Sequence, residues 1–282
     1  MDAALYVVAT PLGNLRDITL RALDVLASVD AVAAEDTRRT RQLLSHYTIR
    51  ARLVALHERN EQQTAGEIIE LLTAGKSVAY VTDAGTPAIS DPGALLVSRV
   101  REAGLRVIPI PGPSALTAAL SAVGMTAPHF LFFGFLPSNA RARRAALSAV
   151  SSLPYTLVFF EAPHRMLRTV EDMTQTLGPD RVIVIAREMT KVFETFQRCK
   201  LAQARAWLQE DVNRARGEFV LIVEGAAPSR GQSVAQAQCT LEILLRELPL
   251  RQAVHLAAAI TGVKKNALYD RALELKNGVS RS

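Results

Sequence analysis

The segment Ser77–Gly93, with the sequence SVAYVTDAGTPAISDPG, decides the predicted fold. Residues 77–81 form an apolar run rich in β-branched side chains, which is typical of a buried strand. A long loop rich in glycine and proline follows, and Asp91 before Pro92 predicts the start of a helix. Because open α/β sheets hold ligands at the carboxyl ends of their strands, this loop predicts either a stiff ligand pocket or an ordinary strand-to-helix turn.

Length and composition limit the class of protein. The chain has 282 residues, of which 49% are hydrophobic, and this is enough for two α/β domains and a further module. No apolar run is long enough to span a bilayer, and residues 1–6 do not look like a signal peptide. Cys199 and Cys239 lie far apart, so we expect neither a disulfide framework nor a zinc site. These features predict a cytoplasmic, soluble protein without membrane partners.

Strand and helix patterns alternate through residues 1–125. Strands are predicted at 5–9, 31–34, 53–56, 77–81 and 106–110, and a helix pattern follows each of them. Gly75 and Gly104 stand where two of these helices end, as glycine commonly does. The alternation predicts an α/β domain with a mostly parallel sheet and helices on both faces.

Residues 126–225 predict a second α/β domain that begins after a hinge at Ala127–Pro128. Its strands are predicted at 130–135, 155–160, 182–187, 192–197 and 219–224, and a basic helix spans 140–150.

Residues 226–282 predict a linker and a small helical module. The small and polar stretch Gly225–Gln236 is typical of a linker, and helices are predicted at 240–248, 250–260 and 264–275. A glycine-containing turn, followed by Lys264 and Lys265 at a helix start, outlines a helix-turn-helix. A three-helix docking module fits the same pattern.

Four loops meet at the carboxyl edge of the first predicted sheet, namely 10–14, 35–37, 83–87 and 111–115. Their small residues let backbone amides approach a ligand, and their prolines keep the loops stiff. The chain has neither a GxGxxG nor a Walker sequence, which weakens dinucleotide and triphosphate interpretations. A carboxylate at Asp83 suits a cationic, nucleoside-containing ligand such as a sulfonium cofactor, although Asp83 is also suited to stabilising its own turn.

Seven motifs occur in order along the chain, namely VATPLGN (8–14), AEDTR (34–38), TDAGTP (82–87), SDPG (90–93), PGPSA (111–115), GFLP (134–137) and FEAPHR (160–165). Together they closely resemble the tetrapyrrole methylase superfamily, and within it the branch that methylates the ribose of ribosomal RNA. The resemblance covers residues 5–224, and the C-terminal helices resemble a module that many members of this branch carry.

The resemblance implies two α/β domains of tetrapyrrole-methylase type, with the cofactor cleft between them, plus a small C-terminal helical module. It implies S-adenosylmethionine-dependent 2′-O-methylation of a cytidine ribose in small-subunit ribosomal RNA by a cytoplasmic homodimer. The substrate is either the small ribosomal subunit or its free RNA. Carried over by position, the implied cofactor contacts are Leu12, Gly13, Asp83, Gly85, Thr86, Pro87, Ser114, Ala115, Phe160 and Glu161.

The reaction needs in-line positioning and a group that accepts the proton of the ribose hydroxyl. Glu35 and Asp36 are candidates because they follow a strand, although carboxylates there also cap helices. Arg187 and Glu188 form a second candidate pair, for which a solvated salt bridge is the alternative. No pair of histidines has metal-ligand spacing, so we expect no catalytic metal.

Basic clusters predict contacts with RNA phosphates. The net charge is +6, and the candidate contacts are Arg38, Arg39, Arg41, Arg141, Arg143, Arg144, Lys264 and Lys265. Each cluster is also compatible with an ordinary solvated helix face. Two competing functions are a methyltransferase of the same fold acting on a tetrapyrrole or other small molecule, and a non-enzymatic nucleic-acid-binding regulator. The arginine clusters and the appended module favour RNA over a small acidic ring.

Overall fold

The structure is a computed structural model that describes residues 1–227 and 230–279, with side chains described for 1–227 and 237–275. The chain forms two compact units, Met1–Gly225 and Ala226–Ser282. Two residues of the predicted linker, Pro228 and Ser229, lie outside the described residues.

The first sheet is parallel throughout, as predicted. Its strands are β1 (Leu5–Val8), β2 (Ala31–Ala34), β3 (Leu53–Ala55), β4 (Val78–Val81) and β5 (Val107–Ile110). Their order is β3-β2-β4-β1-β5, so β1 pairs with β4 on one side and with β5 on the other. All residues of β2 and β4 are buried, because helices cover both faces of the sheet.

Helices cover this sheet in two layers. They are α1 (Leu20–Ser28), α2 (Thr37–His46), α3 (Glu61–Thr73) and α4 (Ala94–Glu102), and the next helix along the chain is α5 (Ala115–Ala122). Leu26 of α1 packs in one core with Tyr6 of β1, whereas Ile68 of α3 packs in another with Leu5. The alternation of adjacent strand residues between the two cores follows from the two-residue period of a β-strand.

Helix α4 starts differently from the prediction. It begins at Ala94, and Asp91 does not cap it. Instead, a Glu61 Oε1 atom in the first turn of α3 accepts hydrogen bonds from the amides of Gly93 (2.9 Å) and Leu96 (3.1 Å). A carboxylate is stabilised at a helix amino terminus by free N–H groups and by the helix dipole. The cap thus comes from a residue distant in sequence, which a local pattern does not reveal.

The second sheet is mixed. Its strands are β6 (Phe130–Phe135), β7 (Thr156–Glu161), β8 (Val182–Arg187), β9 (Thr195–Lys200) and β10 (Phe219–Val223), in the order β6-β7-β10-β8-β9. Among the described strands, only β6 and β7 pair in parallel: β10 lies antiparallel between β7 and β8, and β9 pairs antiparallel with β8.

The predicted strand at 192–197 is misplaced by three residues. Strand β9 begins at Thr195, which pairs with Arg187, and the residues between them form a loop. Glu194 holds this loop by accepting a hydrogen bond from the amide of Thr190 at 2.6 Å. Val192 has β-branched character but is 92% exposed, so its strand preference is overridden by the loop.

Helix α5 follows the last strand of the first sheet but packs on the second sheet. Helices α6 (Ala140–Val150), α7 (Met166–Leu177) and α8 (Leu201–Glu210) cover one face of the second sheet. On the other face, Ala119 and Val123 of the α5 region pack with Val158, Val184 and Ile222. The two α/β domains therefore share an apolar core, which positions the loops of one against the other.

The C-terminal unit is a bundle of three helices, α9 (Arg230–Glu247), α10 (Leu250–Thr261) and α11 (Lys265–Val279). Leu241, Val254 and Leu268 form its core. The predicted linker is helical from Arg230 onward, so α9 starts earlier than expected. Alanine and glutamine are good helix formers, which lets α9 extend through this polar stretch. Within the residues that the structure describes, no helix has the length and apolarity needed to cross a membrane.

Candidate active site

A cavity of about 290 Å³ lies between the two α/β domains of the first unit, and most of its walls are apolar. Leu12 and Ala115 line it from loops that follow β1 and β5. The second domain contributes Phe135, Phe160, Glu161, Ala162, Pro163, Met189, Glu218, Phe219 and Val220. Four of the predicted cofactor residues, Leu12, Ala115, Phe160 and Glu161, therefore meet at one cavity.

Three loops of the first domain are fastened together beside this cavity. Thr10 and Gly85 exchange two backbone hydrogen bonds of 2.9 Å, and the Thr86 hydroxyl donates to the Pro113 carbonyl at 3.0 Å. Gly85 has φ +82°, and a Cβ atom there would lie 3.3 Å from Leu12 Cδ2. Glycine thus permits both the left-handed backbone and the close approach of Leu12, which lines the cavity.

Asp83 lines a separate cavity of about 220 Å³ together with Arg39. The Arg39 guanidinium lies 3.2 Å from its carboxylate, which also accepts a hydrogen bond from the Asp36 amide at 3.2 Å. The Asp83 amide donates to Glu35 Oε2 at 3.3 Å. The predicted residues Asp83, Glu35 and Arg39 are therefore brought together, and none of them lines the Phe160 cavity.

Burial raises the pKa of the carboxyl groups in this acidic cluster. Burial raises the pKa of Asp83, and the positive charge of Arg39 offsets part of this rise. Burial also raises the pKa of Glu35. Burial together with the charge of Glu35 raises the pKa of Asp91 to about 6. Asp91, which the sequence suggested as a helix cap, thus belongs to a group of carboxyls that hold protons more readily than usual.

Asp36 is a helix cap and not a free proton acceptor. Its carboxylate accepts a hydrogen bond from the Arg38 amide at 2.8 Å and pairs with the Arg38 guanidinium at 2.8 Å. The hydrogen bonds from Arg38 lower the pKa of Asp36 to about 2. A carboxylate so strongly favoured in its ionised form is a weak base, so the capping alternative replaces the catalytic one.

Arg187 and Glu188 do not act as a pair. Arg187 donates to the backbone carbonyls of Arg216 and Phe193, and Glu188 Oε1 accepts hydrogen bonds from Lys191 Nζ and the Glu218 amide. Both side chains hold the loop after β8, so this structural role replaces the predicted catalytic one, and the salt bridge of Glu188 is made with Lys191.

Lys191 contacts the loops that follow β1 and β8, and no sequence pattern indicated this role. Its ammonium lies 2.8 Å from Glu188 and 3.0 Å from Glu218, which lines the cavity. Its aliphatic stem lies over Gly13, next to Leu12. Burial lowers the pKa of Lys191, but the hydrogen bonds to both glutamates outweigh this effect and raise it. The ammonium therefore stays charged and holds the loop after β1 against the second domain.

We expect Gly13→Ala to lower the free energy of unfolding by about 1–3 kcal/mol, since the added methyl overpacks the Lys191 stem. A Cβ atom at this position would lie 2.3 Å from Lys191 Cγ. In a Lys191→Ala background the same change should cost almost nothing, because the stem is gone. Denaturant unfolding of the four proteins measures this coupling.

Gly66→Ala is the matched control, because no atom lies within 4 Å of the Cβ that it adds. It should leave the protein as stable as before or more stable, since alanine favours a helix. Additive costs for Gly13→Ala and Lys191→Ala would contradict the contact between the two residues.

The Glu161 carboxylate is engaged within the second domain. Its side chain is 0% exposed, accepts hydrogen bonds from the Thr169 hydroxyl and the Ala162 amide, and pairs with Arg165 at 3.1 Å. Glu161 nevertheless lines the cavity, and its contact with the cofactor stays a prediction. Glu161 also shapes the cavity wall by fixing the turn between β7 and α7.

Arg143 is buried, although the sequence predicted it as an RNA contact. It is 3% exposed, and its guanidinium pairs with the buried Asp172 at 2.6 Å and donates to the Ser138 carbonyl. A phosphate cannot reach it, so the prediction is corrected to a structural ion pair. Arg144 reaches the same Asp172 at 3.1 Å but is 49% exposed in its side chain, and Arg141 is exposed.

The other predicted residues take different positions. Arg38, Arg39 and Arg41 are exposed on α2, and Lys264 and Lys265 are exposed in the C-terminal unit. Ser114 precedes α5 without a side-chain capping bond. Thr86 fastens its loop to Pro113, and Thr86, Pro87 and Ser114 do not line the cavity.

Several lining residues were missed by sequence reasoning. Phe135 lies inside the quoted GFLP motif, whereas Met189, Glu218 and Phe219 had no local signal. Within the part of the chain that the structure describes, no group of three His, Cys, Asp or Glu residues is arranged to hold a metal ion.

Comparison with protein families identifies two segments. The family model described as Tetrapyrrole (Corrin/Porphyrin) Methylases matches residues 4–205, and the model described as RsmI C-terminal HTH domain matches residues 231–276. Together they cover both units of the structure.

Curated relatives match almost the whole chain. Ribosomal RNA small subunit methyltransferase I of Escherichia coli O157:H7 is 52% identical over 270 residues, which cover 96% of this chain and 94% of the relative. The protein of the same name from Pseudomonas aeruginosa is 50% identical over 272 residues, covering 96% of each chain.

Solved structures share the fold at low identity. The cobalt precorrin-4 methyltransferase CbiF is 16% identical with a TM-score of 0.61, covering 79% of this chain and 95% of its own. A uroporphyrin-III C-methyltransferase from Thermus thermophilus, solved with S-adenosylhomocysteine, is 18% identical with a TM-score of 0.56, covering 78% and 97%.

Proposed function

Since the chain belongs to the tetrapyrrole methylase family, and within it to the ribosomal RNA small subunit methyltransferase I branch, we propose that it methylates small-subunit ribosomal RNA with S-adenosylmethionine. The observation that carries this proposal is 52% identity over 96% of the chain to a relative of that name. The predicted fold class is confirmed, because the chain has the tetrapyrrole methylase fold and a C-terminal helical module. We propose the 2′-oxygen of a cytidine as the acceptor, as the sequence motifs imply.

The residues around the cavity fit this cofactor. Leu12, Phe160 and Met189 provide apolar walls for a nucleoside. Gly85 has no side chain, so Leu12 can pack close to its Cα atom. The acidic group around Asp83 complements the positive charges of the methionine end. The cofactor supplies a methyl group on a positively charged sulfur, which is already activated for transfer to an oxygen nucleophile.

Glu35 is the proposed proton acceptor for the ribose hydroxyl. The other candidates do not fit this role, because the contacts described above already engage Asp36, Arg187 and Glu188. Burial raises the pKa of Glu35. A carboxylate with a raised pKa is a better general base near neutral pH. Arg39, which pairs with the neighbouring Asp83, is suited to favour a developing alkoxide.

Exposed basic side chains of both units are the proposed contacts for RNA phosphates. They are Arg38, Arg39, Arg41, Arg141, Arg144, Lys264 and Lys265. We also propose that the protein acts in the cytoplasm as a homodimer on the small ribosomal subunit or its RNA, as the resemblance implies.

Methyl transfer from labelled S-adenosylmethionine tests the proposed function. We expect transfer to small-subunit particles or their RNA and none to a porphyrinogen, with mass spectrometry placing the methyl on a cytidine ribose. Transfer to the porphyrinogen alone, or RNA binding without transfer, would overturn the proposal in favour of a small-molecule enzyme or a regulator.

Asp83→Ala should weaken S-adenosylmethionine binding about 5- to 150-fold, as expected for the loss of a charge-assisted hydrogen bond. Calorimetry measures the affinity, and thermal unfolding confirms that the variant is folded. Asp180→Ala is the matched control, because this aspartate pairs with Lys200 on the surface at 2.8 Å. Equal affinity in the folded Asp83 and Asp180 variants would remove Asp83 from the cofactor site.

A further inference from the structure

Strand β6 contains a bulge that redirects one aromatic side chain. Phe132 pairs with Val158, but the next pairs are Gly134 with Phe159 and Phe135 with Phe160, so β6 has one extra residue. Because side chains alternate between the faces of a sheet, the extra residue moves Phe135 to the face that carries Phe160. In a regular strand it would point to the opposite face.

The contacts of the rings agree with this change of face. The Phe135 and Phe132 rings both meet Phe160 edge to face, with centroids 5.8 and 4.9 Å away, whereas Phe133 meets Phe159 on the other face. The bulge is built around Gly134, which has φ +76°. A Cβ atom at Gly134 would lie 2.5 Å from Ser90 Oγ of the first domain, so only glycine fits there without displacement.

Phe135 is an exposed aromatic side chain on the wall of the cavity. It is 49% exposed, although it lines the same cavity as Phe160 and Leu12. A phenylalanine at this position leaves much of its apolar surface in water, which is unfavourable in the free protein. A ligand that covers the ring recovers this energy.

The surroundings of Phe135 favour a nucleic acid as that ligand. The basic helix α6 begins at Ala140, and Arg141 in its first turn is exposed. Arg144 is half exposed on the same helix. Proteins hold unpaired RNA with exposed aromatic rings, on which bases stack, and with cations that bind phosphates, and strand β6 and the helix that follows it supply both.

We propose that Phe135 is a stacking platform for an unpaired nucleobase of the RNA substrate, at or next to the nucleotide that is methylated. This inference rests on the proposed function and adds a substrate-binding residue to it. The bulge places the ring on the cavity side, where the reacting nucleotide has to arrive, and Arg141 marks the path of the backbone.

Kinetics of three variants test the platform. Phe135→Ala should lower kcat/KM for the RNA substrate about 5- to 150-fold, which is the effect of losing one stacked base. Phe135→Tyr should stay near the wild-type value, because it retains the ring. Phe133→Ala is the matched control, since this side chain is a similarly exposed aromatic of the same strand on the opposite face.

Two further measurements do not depend on methylation. S-adenosylmethionine affinity, measured by calorimetry, should be the same in Phe135→Ala and the wild type. The chain has a single tryptophan, so Phe135→Trp in a Trp207→Phe background gives a fluorescent reporter at the platform. Adding the RNA should quench this fluorescence, whereas Phe133→Trp in the same background should show no quenching.

The results separate this inference from the proposed function. A wild-type protein that fails to methylate RNA contradicts the proposed function itself. If the wild type methylates RNA, the inference is overturned when Phe135→Ala is equally active or when the reporter is not quenched. It is also overturned when Phe135→Ala weakens S-adenosylmethionine binding as strongly as it lowers kcat/KM, because the ring would then be a cofactor contact.

Discussion

Arg143→Ala should lower the free energy of unfolding by about 3–5 kcal/mol, whereas Arg141→Ala should change it by less than about 0.5 kcal/mol. The first substitution leaves Asp172 buried, with its main partner at 2.6 Å removed. Arg144 also reaches Asp172, but its half-exposed side chain does not fill the space of the guanidinium. The second substitution removes an exposed side chain from the same helix. Denaturant unfolding measures both values.

A double substitution separates the buried charge from simple loss of volume. Replacing a buried ion pair by apolar residues of similar size is often neutral, because no charge is left unpaired. We therefore expect Arg143→Met with Asp172→Leu to be more stable than Arg143→Met alone. Equal stability losses for Arg141→Ala and Arg143→Ala would show that Arg143 is a surface residue and restore it as a candidate RNA contact.

Gly93→Ala should lower the free energy of unfolding by about 2–5 kcal/mol, the sum of backbone strain and overpacking. Gly93 has φ +118°, and a Cβ atom there would lie 2.2 Å from Cε1 of Tyr80, whose ring is fully buried. A shift of this turn to relieve the clash would lengthen the two hydrogen bonds that the Gly93 and Leu96 amides donate to Glu61.

Gly104→Ala isolates the backbone part of this cost. Gly104 also has a positive φ, +71°, but no atom lies within 4 Å of its added Cβ. Its substitution should cost only about 1–2 kcal/mol, which is the penalty of a left-handed non-glycine residue. If urea denaturation gave the same loss for Gly93→Ala and Gly104→Ala, the predicted clash with Tyr80 would be absent.

Local sequence pattern was sufficient for most of the secondary structure. The predicted bounds of β6, β8 and α6 agree with the structure at both ends. Gly75 and Gly104 follow their helices with positive φ, as predicted. These features depend on neighbours a few residues away, namely on apolar periodicity and on the freedom of glycine, so a sequence displays them directly.

The order and direction of the strands were harder to predict from the sequence. The alternation of strands and helices indicated the parallel first sheet, but it did not indicate that β10 inserts antiparallel between β7 and β8. It also placed β9 three residues early, because the β-branched Val192 belongs to a loop held by Glu194. Pairing partners are distant in sequence, and strand propensity alone does not choose among them.

The sequence by itself determined the family, the α/β fold and which loops carry carboxylates and glycines at the carboxyl edge of the first sheet. Only the tertiary structure decided what each charged side chain does. Arg141 and Arg143 belong to one basic cluster in the sequence, yet one is exposed and the other is buried against Asp172. Glu61 caps a helix that starts far along the chain, and Lys191 joins the loop at Gly13 to the second domain. The sequence shows which residues are charged, but the role of each charge depends on its burial and on partners that only the folded chain brings together.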